Sequence, residues 1–325
     1  MASPPAEPCP RAWVMAGAAT FTLLSWNVQA ERMRGRGHNG DDRSALEACL
    51  RHALGDHGSA GPDILILLEL QRCKRRVRGL GCRYCTAGTC RQAHAEWVLA
   101  ALAARGYEGD FHRGAMAHTV GLFYSSAFER AASDGRLCFA SFDDAYGVGA
   151  AGGAGASAAS HKGAVLALLR HRATGGRLLV AAVHLSVPKD ADGALDTRRP
   201  LSELAQLRAK LNDVLRREGP APLLLAGDFN AVPVSGAGLA PPDVYARLTR
   251  APEWALSSAY ASVLGAEPRA TAWGADGFEG CIDYVLTSAG LRATGVLAPP
   301  AGRSAADEWL SDHLPLAAAL AFDAP

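Results

Sequence analysis

The sequence has no long hydrophobic run. A transmembrane helix needs roughly 18 consecutive apolar residues, and the 325 residues contain no such run. It also lacks an excess of either charge: 33 Lys and Arg face 32 Asp and Glu, a formal net charge of +1. That balance argues against histone-like or tail-like binding of nucleic acid, although a local basic groove is compatible with it. Eight cysteines are too few for a disulfide scaffold. No charged-then-apolar signal segment opens the chain, so we expect an intracellular protein, cytoplasmic or nuclear, with an organelle not excluded.

The composition is that of a globular protein, with 49% hydrophobic and 20% charged residues. Short apolar runs bounded by Gly, Asp, Asn or Pro predict buried strands. The predicted strands are Phe21–Val28, Ile64–Leu68, Val120–Tyr124, Ala164–Leu169, Leu178–Val183, Pro222–Ala226, Ile282–Leu286 and Leu314–Phe322. Amphipathic helices are predicted at 41–54, at 92–105, and from an N-cap at Ser202 to a stop at Gly219. Strands mixed with helices over the whole length predict sheets covered by helices.

The chain is interpreted as a flexible N-terminal extension at 1–19 followed by a single domain at 20–325. Two segments of unusual composition interrupt that domain. Residues 72–91 are an insertion rich in Cys and Arg, and residues 147–160 are a Gly/Ala/Ser-rich loop that we expect to be mobile. Neither segment separates two domains.

Polar side chains stand where several of these strands end or begin. Each one alone has an ordinary explanation, such as a turn cap, a helix-capping acid or a hydrogen-bonded core histidine. An ionised carboxylate beside buried β-structure is costly unless it is paired or bound to a metal, so a whole set of such groups indicates a shared pocket. The set is Asn27, Glu69, His184, Asp228, Asn230, Asp283, Asp312 and His313.

Carboxylate and amide oxygens are the ligands that Mg²⁺ prefers, and Mn²⁺ can substitute for it. The sequence has no paired-histidine spacing for a catalytic zinc. Acids, a hard cation and imidazoles together are suited to the attack of water on a phosphoryl group.

At these positions the sequence resembles the endonuclease/exonuclease/phosphatase superfamily, which has the deoxyribonuclease I-like fold. Order and spacing agree from about Thr20 to Phe322, and as a set the motifs are highly specific. They are Ser25-Trp26-Asn27-Val28, Asp63 to Glu69-Leu70, Val183-His184-Leu185, Gly227-Asp228-Phe229-Asn230, Ile282-Asp283-Tyr284 and Ser311-Asp312-His313-Leu314-Pro315. The resemblance implies an α/β fold of two mixed β-sheets packed face to face with helices on both outer faces, a four-layer sandwich.

The resemblance also implies a role for each residue. Glu69 would be the main Mg²⁺ ligand with Asn27 beside it, and Asp312 would join a second metal. Asp228 would orient or deprotonate the attacking water, and Asn230 would hold the phosphate or the water. The other three would act on the phosphate: His313 by contact, Asp283 by orienting His313, and His184 by donating to the phosphate oxygens.

The segment from Thr271 to Tyr284 resembles the branch that contains the carbon catabolite repressor deadenylases, nocturnin and the Angel proteins. In that branch a Phe at the position of Phe278 packs against a nucleobase, which suits any base because each has a π-face. The alternative is that Phe278 is a core residue. Three departures bear on the substrate. The loop after His184 lacks the aromatic residues usual in deadenylases, Leu68 replaces a common Gln, and His161-Lys162-Gly163 is similar to the Lys-Gly of neutral sphingomyelinases.

The preferred interpretation is a Mg²⁺-dependent phosphodiester hydrolase, a deadenylase-like 3′-exoribonuclease acting on RNA or nucleotides as a monomer. The alternatives are a dinucleotide 2′-phosphatase, a DNA repair endonuclease, a sphingomyelinase-like enzyme, or a non-catalytic binding protein. The acids and both histidines are all present, which argues against a non-catalytic binding protein. No leucine-rich repeat for docking to a deadenylase assembly is present.

The insertion carries two further candidate sites. Arg75 and Arg76 belong to a basic run directly after the Glu69 strand, where they would hold a nucleic-acid backbone or form a solvated loop. Four clustered cysteines offer soft thiolate ligands for a structural Zn²⁺ that would brace this segment, although free thiols are the alternative. They are Cys73, Cys82, Cys85 and Cys90.

Overall fold

The structure is a computed structural model that describes ten segments of the chain. They are residues 13–17, 20–28, 61–69, 94–112, 120–142, 162–188, 195–233, 243–274, 277–299 and 311–323. The insertion at 72–91 lies outside them, with Arg75, Arg76 and the cysteines Cys73, Cys82, Cys85 and Cys90. The loop at 147–160 and the helix predicted at 41–54 also lie outside them, so these predictions stay predictions.

The described residues form strands β1 to β16 and helices α1 to α4. The strands are β1 (Trp13–Met15), β2 (Phe21–Asn27), β3 (Ile64–Leu68), β4 (Glu108–Phe111), β5 (Val120–Tyr124), β6 (Phe128–Arg130), β7 (Cys138–Ser141), β8 (Gly163–His171), β9 (Arg177–His184), β10 (Leu223–Asp228), β11 (Ser257–Ser258), β12 (Ala272–Trp273), β13 (Glu279–Gly280), β14 (Asp283–Thr287), β15 (Leu291–Leu297) and β16 (Leu316–Phe322). The helices are α1 (His94–Ala103), α2 (Arg198–Glu218), α3 (Asp243–Arg250) and α4 (Ala259–Leu264).

Two large sheets contain most of these strands. The first has the order β1-β15-β16-β2-β3-β5-β4, and the second has the order β11-β14-β10-β9-β8-β6 with β7 also paired to β8. Each sheet is mixed, because β2 pairs with β3 in parallel and β9 pairs with β10 in parallel, while the other pairings are antiparallel. The carboxyl ends of the central strands therefore meet at one edge of each sheet.

The inner faces of the two sheets pack against each other. Alternate residues of β2, β3 and β5 meet alternate residues of β8, β9 and β10 in one buried apolar cluster, as the period-two pattern of strands requires. Helix α1 covers the outer face of the first sheet through Val98 and Leu102. Helices α2 and α3 cover the outer face of the second sheet, α2 with Leu204, Leu207 and Leu211. The predicted four-layer sandwich is confirmed.

The predicted strands agree closely with those observed, whereas the observed start of α2 differs from the predicted start. The N-cap is Thr197, so the prediction of an N-cap at Ser202 is wrong, and the stop at Gly219 is confirmed. The reason is Pro200, which lies in the first turn of α2, where no backbone N–H is needed and the fixed φ of proline suits the helix. The helix predicted at 92–105 is observed as α1, from His94 to Ala103.

The amino-terminal strand β1 lies inside the segment predicted as a flexible extension. Its three residues pair antiparallel with β15, from Trp13 opposite Leu297 to Met15 opposite Gly295. This pairing joins Trp13–Met15 to the end of the first sheet. None of the helices in the described ranges has the length and hydropathy that crossing a membrane requires.

Candidate active site

The parallel strand pairs bring four candidate residues to one end of the sandwich. Asn27 is the last residue of β2, and Glu69 directly follows β3. In the second sheet His184 ends β9 and Asp228 ends β10, and the two are register partners. A hydrogen bond from Asn27 Nδ2 to Asp228 Oδ2, 3.1 Å long, connects the ends of the two sheets.

Antiparallel strands begin at the same end and supply the rest. Asp283 is the first residue of β14 and lies directly opposite Asp228 in the register. His313 lies three residues before β16, which runs antiparallel to β2. Trp26 Nε1 donates to the His313 carbonyl at 3.0 Å, and Ser311 Oγ donates to the Asn27 carbonyl at 2.7 Å. These bonds hold the segment before β16 against the end of β2.

Within the site, His184 lies at the centre of one group of contacts. Its Nε2 lies 3.3 Å from Asp228 Oδ2 and 3.5 Å from Glu69 Oε1. The ring is almost completely buried, so these contacts replace the water that it would otherwise bind. The predicted residues Asn27, Glu69, His184 and Asp228 are thus brought together.

A second group is built around His313 and Asp283. Asp283 Oδ2 is 2.9 Å from His313 Nδ1 and accepts a hydrogen bond from Thr271 Oγ1 at 2.8 Å. Asp312 Oδ1 lies 3.9 Å from His313 Nε2. Ligand atoms of Asp228, Asp283 and His313 all lie within 4.8 Å of one another, so the two groups form one constellation.

Asn230 occupies a left-handed backbone conformation, with φ of 49°, and Glu69 does the same with φ of 58°. Such conformations are unfavourable for residues with a Cβ and are typical of functional sites. The Asn230 backbone N–H donates to Asp228 Oδ1, and its Nδ2 donates to the Leu185 carbonyl, both at 2.9 Å. Asn230 therefore fixes Asp228 and the chain after β9, and its contact with phosphate or water stays a prediction.

Lys162 is a site residue that the sequence reasoning did not assign. Its ammonium contacts His184 Nε2 and lies 4.0 Å from Glu69 Oε1. Gly163, next to it, must be glycine, because a Cβ there would lie 2.6 Å from the Ala140 carbonyl oxygen and 2.9 Å from His112 Cε1. The signal in the sequence was the Lys162-Gly163 pair, which stands directly before the strand predicted at Ala164–Leu169.

Glu203 was also missed. It lies on α2 and is buried, and both of its carboxylate oxygens accept hydrogen bonds from Ser186: Oε2 from the backbone N–H at 2.7 Å and Oε1 from the hydroxyl at 2.6 Å. Ser186 follows His184 by two residues. Helix α2 thereby fixes the chain that leaves the site, and the available signal was a carboxylate within the apolar stripe of α2.

Burial and charge shift the pKa values of the acids and imidazoles. Burial by itself would raise the pKa of Asp228, but the nearby His184, His313 and Lys162 outweigh it and lower that pKa. Burial lowers the pKa of His184, and the Lys162 charge lowers it further. Burial would also lower the pKa of His313, but Asp283 reverses this and raises it. These shifts favour the carboxylate form of Asp228, the uncharged form of the His184 ring and the protonated form of the His313 ring.

Phe278 lies on a small apolar cluster with Val232, Ala272 and Ile282, and its side chain is partly exposed. Val232 follows Asn230 by two residues, and Ile282 directly precedes Asp283, so the cluster adjoins the site. A partly exposed ring at this place is compatible with both base stacking and packing, and stacking stays a prediction.

The donor set fits a hard divalent cation. Glu69 and Asp228 supply carboxylate oxygens. The Asn27 side chain donates through Nδ2 to Asp228, and its amide oxygen is the atom of that side chain that can bind a cation. The buried cluster of Asp228, Asp283 and His313 adds further oxygen and nitrogen atoms at close range. Two buried carboxylates so near to each other are favoured by a cation between or beside them.

Comparisons with known proteins identify the family of the chain and support its fold. The sequence profile of the Endonuclease/Exonuclease/phosphatase family matches residues 24–313. No curated protein sequence gives a significant match. Among solved structures, the human Nocturnin catalytic domain with bound sulfate has a TM-score of 0.64 and 19% identity, with 96% of this chain and 98% of that chain covered.

Two other structures are similar in fold. ANGEL2, described as a 2′,3′-cyclic phosphatase in complex with adenosine-2′,3′-vanadate, has a TM-score of 0.63 and 17% identity over 95% of this chain and 98% of its own. A mannosyl-6-phosphatase of Bacteroides thetaiotaomicron has a TM-score of 0.56 and 15% identity, over 93% of this chain and 100% of its own. The profile match covers most of the sequence, and the chain belongs to the Endonuclease/Exonuclease/phosphatase family, whose members are hydrolases acting on phosphoester bonds.

Proposed function

We propose that this protein is a Mg²⁺-dependent phosphodiesterase, active also with Mn²⁺, that removes nucleotides from the 3′ ends of RNA. The observation that carries the phosphodiester chemistry is the constellation at one end of the sandwich, where the Asp228 carboxylate lies 3.3 Å from His184 Nε2 and within 4.8 Å of ligand atoms of Asp283 and His313. An ionised acid is a proton acceptor, and imidazoles are donors to phosphate oxygens. Both parts of an acid–base pair are therefore in place.

Glu69 and Asn27 would hold the cation, with Asp312 near a second position. Bound there, Mg²⁺ supplies Lewis-acid polarisation of the phosphoryl group and neutralises developing charge.

Groups of the protein itself activate the water and stabilise the charge on the phosphate. The Asp228 carboxylate orients a water and accepts its proton as the oxygen attacks phosphorus, while Asn230 holds Asp228 in position through its backbone N–H. His313, oriented by Asp283, and His184 donate to phosphate oxygens as negative charge shifts toward the leaving group. The leaving oxygen departs with the proton that one of these donors or water supplies.

The choice of RNA or nucleotides as substrate rests on two supports. Phe278 offers a partly exposed ring beside the site for stacking on a base. The structure of ANGEL2, which is similar to this chain in fold, contains the nucleoside ligand adenosine-2′,3′-vanadate. We expect the enzyme to act as a monomer in the cytoplasm or nucleus. Arg75 and Arg76 remain candidates for contact with the RNA backbone, and the four cysteines remain candidates for zinc.

The test is hydrolysis of a substrate panel by the full chain, with Mg²⁺, with Mn²⁺ and with excess EDTA. The panel contains 3′-polyadenylated RNA, RNA of mixed sequence, single-stranded DNA, abasic duplex DNA, a 2′-phosphorylated dinucleotide and sphingomyelin vesicles. We expect shortening of RNA from its 3′ end with either cation and none in EDTA. Full turnover in EDTA would overturn the role of the metal, and hydrolysis of another substrate in the panel in place of RNA would overturn the choice of RNA.

A further inference from the structure

A groove separate from the catalytic constellation lies between α2 and α3 on the outer face of the second sheet. It has a volume of about 780 Å³ and is lined by the first turns of α2, by α3 and by the chain that follows α3. Pockets for small molecules have volumes of roughly 300–1,000 Å³. The groove is thus large enough for a nucleotide.

Three arginines line the groove, namely Arg208, Arg247 and Arg250. Two acids line it as well, and each has its own partner. Glu253 is paired with Arg247, and Asp243 accepts a hydrogen bond from Thr197 at 3.3 Å. Within the described part of the chain neither Arg208 nor Arg250 forms an ion pair. With three arginines against two acids among its lining residues, the groove has an excess of positive charge, which favours an anionic ligand.

The remainder of the lining is apolar and includes an aromatic ring. Leu201, Leu204 and Ala246 form part of it, and Trp254 is buried beneath Arg208, whose Cζ lies 5.3 Å from the ring centroid. The indole holds the guanidinium by a cation–π contact, so this cation is positioned before any ligand binds. A guanidinium plane is also a surface on which a base can stack.

We propose that this groove is an accessory site for a nucleotide, with its phosphate bound by Arg208 and Arg250 and its base on the apolar lining. Arginine forms paired hydrogen bonds with phosphate oxygens, and the apolar residues of the lining suit a flat ring. The ligand is either a free nucleotide or one nucleotide of an RNA strand, because both present the same chemistry. The proposal does not depend on what the catalytic constellation hydrolyses.

The two helices that form the groove each follow a strand that ends at the catalytic site. Helix α2 starts after the chain that leaves His184, and α3 starts after the chain that leaves Asn230. The Thr197–Asp243 hydrogen bond ties the starts of the two helices together. Helix α2 holds Glu203 against Ser186, two residues after His184, and presents Leu201, Ala205 and Arg208 to the groove.

The test measures binding of a fluorescent adenosine monophosphate and of a labelled single-stranded 12-nucleotide RNA, at low salt in EDTA. Chelation disfavours phosphate at the acidic catalytic end and leaves the groove unaffected. We expect saturable binding to the wild type, about tenfold weaker binding to Arg250→Gln, and a further loss with Arg208→Gln added. The matched control, Arg216→Gln with Arg292→Gln, removes two exposed arginine charges elsewhere and is expected to change Kd less than twofold.

Folding is checked by the melting temperature, and Arg250→Gln is informative by itself because Arg250 is exposed. Turnover of bis(p-nitrophenyl) phosphate with Mg²⁺ is expected to be unchanged in the groove variants. If the groove substitutions weaken the binding of both probes, the groove is a site for free nucleotides. If they weaken only the binding of the RNA, it is a site for one nucleotide of a strand. The proposal is overturned if neither probe saturates, or if the groove variants bind as the control does. Failure of RNA hydrolysis would overturn the proposed function without changing this result.

Discussion

Asp228 and Asp283 are directly opposite each other in the antiparallel pairing of β10 with β14. Both side chains are buried, and like charges in directly opposite positions destabilise a sheet. Each acid is compensated by its own partners, Asp228 by Asn27 and His184, and Asp283 by Thr271 and His313. A pair of facing acids with separate sets of donors is an arrangement that serves chemistry at the expense of stability.

The first prediction concerns Asp228→Asn. The amide has the shape of the carboxylate but cannot accept a proton from water, so we expect kcat to fall by at least about a hundredfold with little change in KM. Steady-state kinetics with Mg²⁺ on a cognate substrate measure both. Asp213→Asn, on the exposed side of α2, is the matched control and is expected to have wild-type kinetics. Near-normal turnover of Asp228→Asn would mean that another group activates the water.

The second prediction concerns Lys162→Met, which keeps the length of the side chain and removes its charge. The ammonium lies 4.0 Å from Glu69 Oε1, where it repels a cation held by Glu69. We therefore expect tighter binding of Mn²⁺, measured by electron paramagnetic resonance, together with a kcat at least about tenfold lower because a charge near the phosphate is lost.

Lys210→Met, on α2, is the control for Lys162→Met and is expected to change neither quantity. Weaker Mn²⁺ binding by Lys162→Met would show that the lysine organises the ligands instead of opposing the cation. Unchanged kcat would show that the ammonium does not act on the phosphate.

The sequence predicts the central strands well because each is a short apolar run that ends at a polar residue. The bounds predicted for Ile64–Leu68 and Val120–Tyr124 are those observed. The strands β4 and β15 were not predicted. Gly and Asp in Glu108–Phe111, and the polar residues in Leu291–Leu297, hide the strand pattern. Both strands are formed by pairing with other strands, β4 with β5 and β15 with β16.

The candidate site could be predicted as far as its residues lie at the ends of recognisable strands. Asn27, His184 and Asp228 are such residues, and they meet because parallel strands end at one edge. Lys162 and Glu203 could not be placed in this way. Lys162 joins the site through the register of β8 with β9, and Glu203 through the rotation of α2 against the sheet, and both are consequences of packing.

The third prediction concerns base recognition by Phe278. If the ring stacks on a base, Phe278→Ala weakens binding of an RNA or nucleotide substrate by about 1–3 kcal/mol and leaves turnover of bis(p-nitrophenyl) phosphate unchanged. Phe278→Tyr keeps the π-face and is expected to bind RNA nearly as the wild type does. Equal losses on both substrates, together with a lower melting temperature, would identify Phe278 as a packing residue.

The fourth prediction concerns Glu203→Ala. The substitution leaves the backbone N–H and the hydroxyl of Ser186 buried without their acceptor, so we expect the free energy of unfolding to fall by at least about 2 kcal/mol. Urea titration measures it. Asp213→Ala, an exposed acid on the same helix, is the control and is expected to shift stability by less than about 0.5 kcal/mol. A loss no larger than that of the control would show that water or another group replaces Glu203.

The last prediction concerns the pH dependence of stability through His171. This ring is buried among Phe21, Phe128 and Phe322, with the Phe128 ring centroid 5.1 Å away, and a ring nitrogen is 3.0 Å from Thr174 Oγ1. Burial lowers the pKa of His171, although the charge of Asp63 partly opposes this. The unfolded chain therefore takes up the proton first. The stability that the neutral ring contributes is complete above the unfolded pKa of about 6.5 and is lost as pH falls through the lower folded value.

His171→Gln removes the titration and keeps a polar group within reach of Thr174. We expect the free energy of unfolding of the wild type to fall more between pH 7.5 and pH 5.0 than that of His171→Gln, as measured by urea titration at each pH. Other titrating groups contribute equally to both proteins and cancel in the difference. A nuclear magnetic resonance titration of the His171 ring in the folded protein is expected to have its midpoint below about 6.5. Equal pH slopes for the two proteins, or a midpoint above that value, would show that the folded state accommodates the protonated ring.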